Sequence, residues 1–228
     1  MLAAMTYFIG CDFDGTVTIH DTLHLLVQRF APEVWLPIEK RLRDGELTLL
    51  QAIEEEFRQI RVTPDEAVAF VLREAGIRAG FPEFVGWAET GGHELVLFSS
   101  GFRVLIDPML AHAGLGRVRV EAGDAEFSLD GTVLSFPSSE AECRSTCGLC
   151  KREAIAAHGP FNGRLVVHIG DGYSDLCAAR QADIVFARAD LARFLDKEGI
   201  TYHAFEDFFE VIRVLDAETP ETPEPPAS

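Results

Sequence analysis

The sequence predicts an α/β protein with a doubly wound, Rossmann-like parallel sheet and an inserted helical cap. Apolar, strand-like runs alternate with helical stretches, an order typical of a parallel sheet covered by helices. Three of these runs end in Asp, Ser or Gly-Asp, at the edge where α/β sheets bind ligands. Roughly eighty residues of helical pattern separate the first two runs, too many for a simple crossover. We therefore expect a core at 1–17 and 91–216 and a cap at 18–90.

The individual elements follow from apolar spacing and turn residues. Core strands are predicted at 6–11, 94–99, 165–170 and 183–186, and the stretch 117–136, which alternates around Asp130-Gly131, predicts a hairpin. Core helices are predicted at 103–113, 151–158, 173–181, 189–198 and 206–216. Cap helices are predicted at 22–30, 36–43, 48–60, 64–74 and 82–90, with Thr48 and Thr63 as N-caps and Pro64 in the first turn. The acidic, Pro-rich tail at 217–228 is predicted to be disordered.

Composition limits the classes of partner. The 228 residues carry a net charge of −17, which argues against nucleic acid and anionic membranes because both reward basic patches. No apolar stretch is long enough to span a bilayer, and the start lacks the basic segment of a secretory signal. The five cysteines need not pair in a reducing compartment, so we expect a cytoplasmic protein. Nothing in the sequence indicates its oligomeric state.

The most informative motif is Asp12-Phe13-Asp14-Gly15-Thr16, directly after the first apolar run. Because strand side chains alternate, Asp12 and Asp14 point to the same side. Two carboxylates held this close repel each other unless a cation or a shared proton offsets the charge. The alternative is an acidic turn with solvated carboxylates.

Three further motifs follow in order. They are Ser99-Ser100-Gly101 after the second apolar run, Lys151 at a helix start, and Gly170-Asp171 with Asp175 after the third run. In this order the chain resembles the haloacid dehalogenase-like superfamily over residues 5–215. Taken alone, Asp171 and Asp175 could instead cap the following helix, whose N-terminus favours Asp.

The resemblance implies a Mg²⁺-dependent phosphomonoesterase that acts on a small phosphorylated metabolite through an aspartyl-phosphate. It implies that Asp12 is the nucleophile and Asp14 the general acid and base. The side chains of Asp12 and Asp171 and the backbone carbonyl of Asp14 would hold Mg²⁺. Ser99, the N–H groups of Ser100 and Gly101, and Lys151 would bind the phosphoryl group, and Asp175 would orient Lys151 or a water on the metal.

Asp14 also distinguishes between the enzyme classes of the superfamily. Relatives that are dehalogenases lack an acid at the position of Asp14, and ion-pumping ATPases carry Thr there, so Asp14 favours a phosphatase or a phosphomutase. A non-catalytic phosphate-binding protein that kept the fold is the alternative from another class. The complete set of motif residues argues against it.

The cysteines precede Lys151 as Cys143, Cys147 and Cys150. Three thiolates could hold zinc, but structural zinc sites usually have four ligands, so we favour a Cys-rich loop without metal. The string Cys-Gly-x-Cys-Lys resembles one subgroup of the superfamily, the 2-hydroxy-3-keto-5-methylthiopentenyl-1-phosphate phosphatases of methionine salvage. The strings at 184–188 and 205–209 also look like that subgroup.

The related phosphoserine phosphatases bind the substrate carboxylate with a cap arginine. Glu56 occupies the matching position here, within three consecutive Glu residues that would repel a carboxylate, and Arg58 lies two residues further on. Such acidic groups would suit an amine substrate such as phosphoethanolamine or phosphocholine. Asp21 either contacts the substrate or caps the helix at 22–30. His168, in an apolar strand, is interpreted as a core residue.

Overall fold

The structure, a computed structural model, describes residues 6–137 and 147–218. Seven strands form one sheet in the order β4-β3-β2-β1-β5-β6-β7, parallel except for β4, which is antiparallel to β3. The strands are β1 Tyr7–Cys11, β2 Glu94–Phe102, β3 Arg119–Glu126, β4 Val133–Ser135, β5 Leu165–Gly170, β6 Ile184–Ala187 and β7 His203–Ala204. The predicted fold class is confirmed.

Helices cover both faces of this sheet, as the predicted doubly wound topology requires. They are α1 Thr22–Phe30, α2 Pro32–Arg43, α3 Leu49–Phe57, α4 Pro64–Glu74, α5 Phe81–Gly91, α6 Arg103–His112, α7 Lys151–Ala156, α8 Leu176–Ala179, α9 Ala189–Glu198 and α10 Phe208–Glu218. Because side chains alternate along β1, Ile9 joins a large apolar cluster with Phe208, whereas Phe8 packs in a second cluster with Ile155.

The central strand β1 places the first motif between the other two. It is fully buried and pairs in parallel with β2 on one side and β5 on the other. Because the carboxyl ends of parallel strands meet at one edge, the residues that follow β1, β2 and β5 come together there. The sheet geometry therefore assembles residues that lie far apart in the sequence.

The inserted helices α1 to α4 contact one another, and α4 also packs against α6. At the base of the insert, Thr18 and Ile77 form an antiparallel bridge, which holds its two connections to the sheet side by side. Helix α5 instead packs against α10 and β2, with Phe81 and Phe84 against Phe208. The division between core and cap at 18–90 stays a prediction, and within that range α5 packs on the sheet.

The element boundaries differ from the expected ones in a few places. Helix α2 begins at Pro32 rather than at 36, because a proline is well suited to the first helical position. The helix expected at 173–181 is a 3₁₀ turn at Tyr173–Asp175 followed by the short α8. Thr48 and Thr63 form the expected N-caps, each within a capping box.

Two remaining predictions concern the hairpin and the membrane. The hairpin at 117–136 is present as β3 and β4. Among the residues that the structure describes, no helix has the length and apolar character needed to cross a membrane. Cys143 and the tail from 219 onward lie outside the described residues.

Candidate active site

A cavity of about 820 Å³ lies between the carboxyl ends of the strands and helices α1 to α3. It is lined by motif residues, cap residues and the start of α9. From the predicted site, the lining includes Asp12, Asp14, Asp21, Glu56, Ser99, Ser100, Gly101 and Asp171. Lys151 and Asp175 lie directly behind this surface and bind Asp12 and the Asp171 turn. The structure thus brings together all four sequence motifs.

Lys151 links two of the motifs through a buried ammonium group. Its side chain is fully buried at the first residue of α7, and its Nζ donates to Asp12 and, at 2.6 Å, to Oδ1 of Asp175. Although burial opposes a charged lysine, the charges of Asp12 and Asp175 raise the pKa of Lys151. The ammonium is therefore charged and held in place against Asp12.

Asp175 binds Lys151, as the resemblance implies, and it also orders the turn at Asp171 and Gly172. Its Oδ1 receives the Lys151 ammonium and lies 3.1 Å from Nε2 of His168, while its Oδ2 accepts from the N–H groups of Asp171 at 3.3 Å and Gly172 at 3.1 Å. Burial opposes ionisation, but Lys151 and His168 hold the pKa of Asp175 below its usual range. The same carboxylate thus orders the turn and positions the lysine.

Two further carboxylates, those of Asp171 and Asp175, lie close to Asp12. Oxygens of Asp12, Asp171 and Asp175 lie within 4.8 Å of one another, and Oδ2 of Asp12 is buried without a hydrogen-bond partner among the described residues. Burial and the charges of Asp175 and Asp171 raise the pKa of Asp12, although Lys151 opposes the shift. Burial, with Asp175, also raises the pKa of Asp171 to about 7. One lysine does not offset three carboxylates, so this all-oxygen set fits a hard divalent cation such as Mg²⁺.

The carboxylate of Asp14 points away from the cluster of Asp12, Asp171 and Asp175. Its Oδ1 accepts from the backbone N–H of Thr22 at 3.0 Å and from the Thr22 hydroxyl, and its Oδ2 accepts from the Ser99 hydroxyl at 3.1 Å. Burial and the charge of Asp21 raise the pKa of Asp14 to about 6, against the hydrogen bonds from Thr22 and Ser99. The Asp14 side chain is therefore engaged with Thr22 and Ser99, and its raised pKa makes it an acid suited to proton transfer near neutral pH.

The second motif lies in an irregular part of β2. Its register with β3 shifts between Phe98 and Phe102, and such a bulge re-aims side chains. The Ser99 hydroxyl accepts from the N–H of Gly101 at 2.8 Å, and a Cβ at Gly101 would lie 2.7 Å from Oδ2 of Asp14. The Ser100 hydroxyl lines the cavity without a hydrogen-bond partner in the described part of the chain. The sequence predicted a phosphate contact from the N–H of Ser100 but none from this hydroxyl.

The loop after β1 passes very close to Asp171. Gly15 has a φ of +78°, and a Cβ there would lie 2.3 Å from Oδ2 of Asp171. The Thr16 hydroxyl is 3.4 Å from Oδ1 of the same carboxylate. The glycine and the threonine of the first motif therefore serve to fit the loop against the third motif.

The cap end of the cavity holds Asp21, His24, Glu39 and Glu56. Asp21 is the N-cap of α1, since its side chain accepts from the N–H groups of Leu23 at 2.8 Å and His24 at 2.9 Å. It therefore fulfils the capping alternative while lining the cavity. Glu56 faces the same space and is only 6% exposed.

Arg58 is not brought to this cavity. It is the C-cap of α3 and lines a separate cleft with Arg61 and Thr132. Because consecutive helical residues are about 100° apart, a residue two positions from Glu56 points to the opposite side of the helix. As a correction, the geometry gives Arg58 no place beside the motif residues.

Sequence reasoning missed three residues that organise the site. Thr22 binds Asp14, His168 binds Asp175, and Arg78 binds the loop after β1 through the carbonyls of Gly15 and Thr16, each at 2.7 Å. A histidine two residues before Gly170 in a buried strand was the available signal for His168. Arg78 has no local motif, because its partners lie about sixty residues earlier.

The amino-acid sequence is similar to one known family over most of its length. The model of the haloacid dehalogenase-like hydrolases matches residues 9–180. A 2-hydroxy-3-keto-5-methylthiopentenyl-1-phosphate phosphatase of Brevibacillus brevis is 31% identical over 207 residues, covering 90% of this chain and 93% of that protein. The enzyme of the same name from Exiguobacterium sibiricum is 32% identical over 211 residues, covering 91% of this chain and 95% of that protein.

Solved structures share the fold at low sequence identity. A phospho-aspartyl intermediate analogue of phosphoserine phosphatase has a TM-score of 0.70 at 18% identity, with 92% of this chain and 99% of that chain covered. A phosphoserine phosphohydrolase-like protein from Francisella tularensis has a TM-score of 0.66 at 20% identity, with 92% of this chain and all of that chain covered. At this identity the likeness concerns the fold.

Proposed function

The chain belongs to the haloacid dehalogenase-like hydrolases, and on that premise we propose that it hydrolyses a small phosphorylated metabolite through an aspartyl-phosphate on Asp12. The family resemblance drawn from the motifs is confirmed. The chain is a phosphoric monoester hydrolase, in line with the curated relatives that it matches. The single observation that carries the mechanism is the Lys151 ammonium bound between Asp12 and Asp175 beside the open cavity.

The proposed first step is attack of an Asp12 carboxylate oxygen on phosphorus, with departure of the substrate alkoxide. Asp14, whose pKa burial raises to about 6, gives its proton to that alkoxide. Lys151, the Ser99 hydroxyl and the N–H groups of Ser100 and Gly101 stabilise the negative charge of the transferring phosphoryl group. The Ser99 hydroxyl and the Gly101 N–H would exchange their present hydrogen bonds, to Asp14 and to Ser99, for bonds to phosphate oxygens. Asp14, now ionised, takes a proton from water, whose oxygen attacks phosphorus and releases phosphate and the Asp12 carboxylate.

A divalent cation completes this proposal. Asp12, Asp171 and the backbone carbonyl of Asp14 would hold Mg²⁺, which prefers oxygen ligands and keeps several of its waters. When bound, it supplies charge neutralisation for the carboxylates and the phosphate. The support is the group of three carboxylates and the unpartnered Oδ2 of Asp12.

For the substrate we propose 2-hydroxy-3-keto-5-methylthiopentenyl-1-phosphate. The support is the name of the curated relatives, matched over nine-tenths of the chain, and the Cys-Gly-x-Cys-Lys string. Phosphoserine is less supported as the substrate. Its carboxylate would need a cation in the cavity, and the cap end is lined instead by Glu56 and Glu39. The test is kcat/KM for the two esters measured side by side, where a clear preference for phosphoserine would contradict the substrate assignment.

The mechanism is tested with Asp12→Asn. The amide keeps the shape but loses the nucleophile and a metal ligand, so we expect kcat for p-nitrophenyl phosphate to fall by at least about 10³-fold. Acid quenching during turnover should trap a phosphoryl group on the wild-type peptide that contains Asp12 and none on the variant. The matched control is Asp190→Asn, which removes an exposed carboxylate that lines the same cavity and pairs with Arg193.

Near wild-type turnover by Asp12→Asn would rule out the covalent route. Tight binding of phosphate without turnover by the wild-type protein would instead favour the non-catalytic alternative.

A further inference from the structure

One acidic side chain of the cavity has a buried oxygen that no donor in the described part of the chain reaches. Glu56 lies on the buried face of α3 beside Ile53 and Phe57 and is only 6% exposed. Its Oε1 is buried and accepts no hydrogen bond from any residue in the described ranges. A buried oxygen without a donor is costly, and the cost is removed when a ligand supplies the donor.

The charged groups that lie near Glu56 come from two other helices. From α1 and its N-cap, His24 and Asp21 lie in the cavity wall, and from α2, Glu39 and Arg43 do so. His24 is already engaged, because its Nε2 is 3.3 Å from Oε1 of Glu39 and its Nδ1 is 3.9 Å from Oδ2 of Asp21. Of the three acids around His24, Glu56 is the one whose side chain has no hydrogen bond within residues 6–137 and 147–218.

The remaining cation at this end is Arg43. It is exposed at the last residue of α2, and its Nε is 3.4 Å from the carbonyl of Glu39, to which it donates. Its charge therefore lies at the mouth of the cavity, whereas Glu56 is in the buried wall. A substrate carboxylate seated in the cavity would meet Glu56 and Glu39 before it met a free cation.

The cavity also has an apolar part. Besides the charged groups of the cap, it is lined by five aliphatic side chains, Leu23, Leu42, Leu47, Leu49 and Ile53, and by Phe194. Such a wall suits an uncharged carbon chain, since burial of apolar surface is favourable. Burial also raises the pKa of Glu56 to about 7, so near neutral pH the carboxyl is only partly ionised. It accepts from a hydroxyl and repels a carboxylate, and it carries less charge to attract an ammonium group than an ordinary glutamate does.

We propose that Glu56 determines specificity by accepting a hydrogen bond from a hydroxyl group of an uncharged substrate moiety and by disfavouring phosphate esters that carry a carboxylate. The inference rests on the proposed phosphatase activity and names the class of substrate that the cap selects. Glu56 has no part in the phosphoryl transfer itself, because the charged groups around it belong to the cap.

The test compares three phosphate esters of similar size. Glycerol phosphate carries hydroxyl groups, 3-phosphoglycerate replaces one carbinol by a carboxylate, and phosphoethanolamine carries an ammonium group. We expect kcat/KM of the wild-type protein to be at least about tenfold higher for glycerol phosphate than for the other two. p-Nitrophenyl phosphate, which carries none of these groups, measures the chemistry alone.

Two variants separate charge from hydrogen bonding. Glu56→Gln keeps an acceptor without the charge, so kcat/KM for 3-phosphoglycerate should rise at least about fivefold relative to glycerol phosphate. Glu56→Leu removes the acceptor, so kcat/KM for glycerol phosphate should fall about tenfold. Hydrolysis of p-nitrophenyl phosphate by both variants should remain measurable, which shows that they fold and carry out the chemistry. The matched control, Glu54→Gln, removes an exposed charge from the same helix and should change none of these ratios.

The results that would overturn the proposal are distinct. A wild-type preference for 3-phosphoglycerate that disappears in Arg43→Gln would assign recognition to Arg43, and a preference for phosphoethanolamine would assign it to an ionised acid. These wild-type comparisons need no variant to fold. Unchanged ratios in both Glu56 variants, with p-nitrophenyl phosphate still hydrolysed, would refute the role of Glu56 and leave the proposed function intact. A wild-type protein that hydrolyses none of the esters would refute the proposed function.

Discussion

Lys151 shows how burial sets the properties of single residues in this cavity. Its ammonium lies between Asp12 and Asp175, fully buried, so both of its ion pairs are shielded from solvent. In a low dielectric such pairs interact strongly, but each partner becomes costly to leave alone. His168 adds a further contact to Asp175 at 3.1 Å. The lysine therefore keeps one position, as stabilisation of a transferring phosphoryl group requires.

Glu56 gives a pH dependence that can be measured on the folded protein. Burial, with Glu39 and Asp21, raises its pKa from 4.5 to about 7 against the opposing charge of His24. Between these values the folded protein binds more protons than the unfolded chain, so the contribution of Glu56 to stability is complete below its unfolded pKa and is lost as the pH rises through about 7. The free energy of unfolding of the wild type, relative to Glu56→Gln, should therefore fall from about pH 5 to about pH 8.

We expect that fall to be on the order of 2 kcal/mol, measured by urea denaturation at several pH values. Glu54→Gln, which removes an exposed carboxylate from the same helix, should give a flat difference. A difference between wild type and Glu56→Gln that does not vary with pH would show that Glu56 titrates normally.

At the scale of elements, the loop after β1 depends on Arg78, which follows the inserted helices α1 to α4 in the sequence. Arg78 follows the bridge between Thr18 and Ile77 and is 7% exposed. Its guanidinium donates to the carbonyls of Gly15, Thr16 and Thr18 at 2.7, 2.7 and 3.0 Å. Since Asp14 and Gly15 are adjacent, the connection that closes the cap also fixes the first motif.

Replacement of Arg78 should therefore affect both stability and catalysis. Arg78→Met keeps much of the apolar stem but leaves these carbonyls without donors, so we expect the free energy of unfolding to fall by about 2–4 kcal/mol. We also expect kcat for p-nitrophenyl phosphate to fall by at least about tenfold, because the nucleophile loop loses its support. Urea denaturation and steady-state kinetics measure the two effects. Arg73→Met, at an exposed arginine of α4, is the control, and equal effects of the two substitutions would contradict this role.

At the scale of the whole molecule, acidic groups are concentrated around a cavity with little positive charge. The net charge is −17, and three carboxylates face one buried lysine at the strand ends. Self-repulsion of this kind destabilises the compact state unless a cation offsets it. The fold places these charges at the edge of the sheet where the carboxyl ends of β1, β2 and β5 meet.

Mg²⁺ should therefore stabilise the folded protein. A ligand at a hundredfold its Kd adds about 2.7 kcal/mol, which corresponds to about 5–10 °C in Tm for a chain of this size. We expect this rise on exchange of EDTA for Mg²⁺ in the wild type and much less of it in Asp171→Asn. The control Asp190→Asn, at an exposed carboxylate that lines the same cavity, should keep the full shift. The same shift in Asp171→Asn as in the wild type would place the bound cation elsewhere.

The fold class and most of the motif residues were predictable from the amino-acid sequence. Apolar runs that end in Asp, Ser or Gly-Asp are local signals, and the strand periodicity and turn residues that carry them lie within a few positions. The N-caps at Thr48 and Thr63 were predictable for the same reason, since a capping box spans only four residues. The parallel sheet followed from the order of these elements.

The contacts among the remaining side chains became known from the folded structure. Asp175 was ambiguous in the sequence, and its packing beside Lys151 and His168 shows that it orders the turn and binds the lysine. Arg58 and Glu56 are two residues apart, yet the direction of α3 sends one to a separate cleft and buries the other in the cavity. Arg78 binds carbonyls about sixty residues away. Contacts at such sequence separations depend on how the chain folds back on itself, which no local pattern encodes.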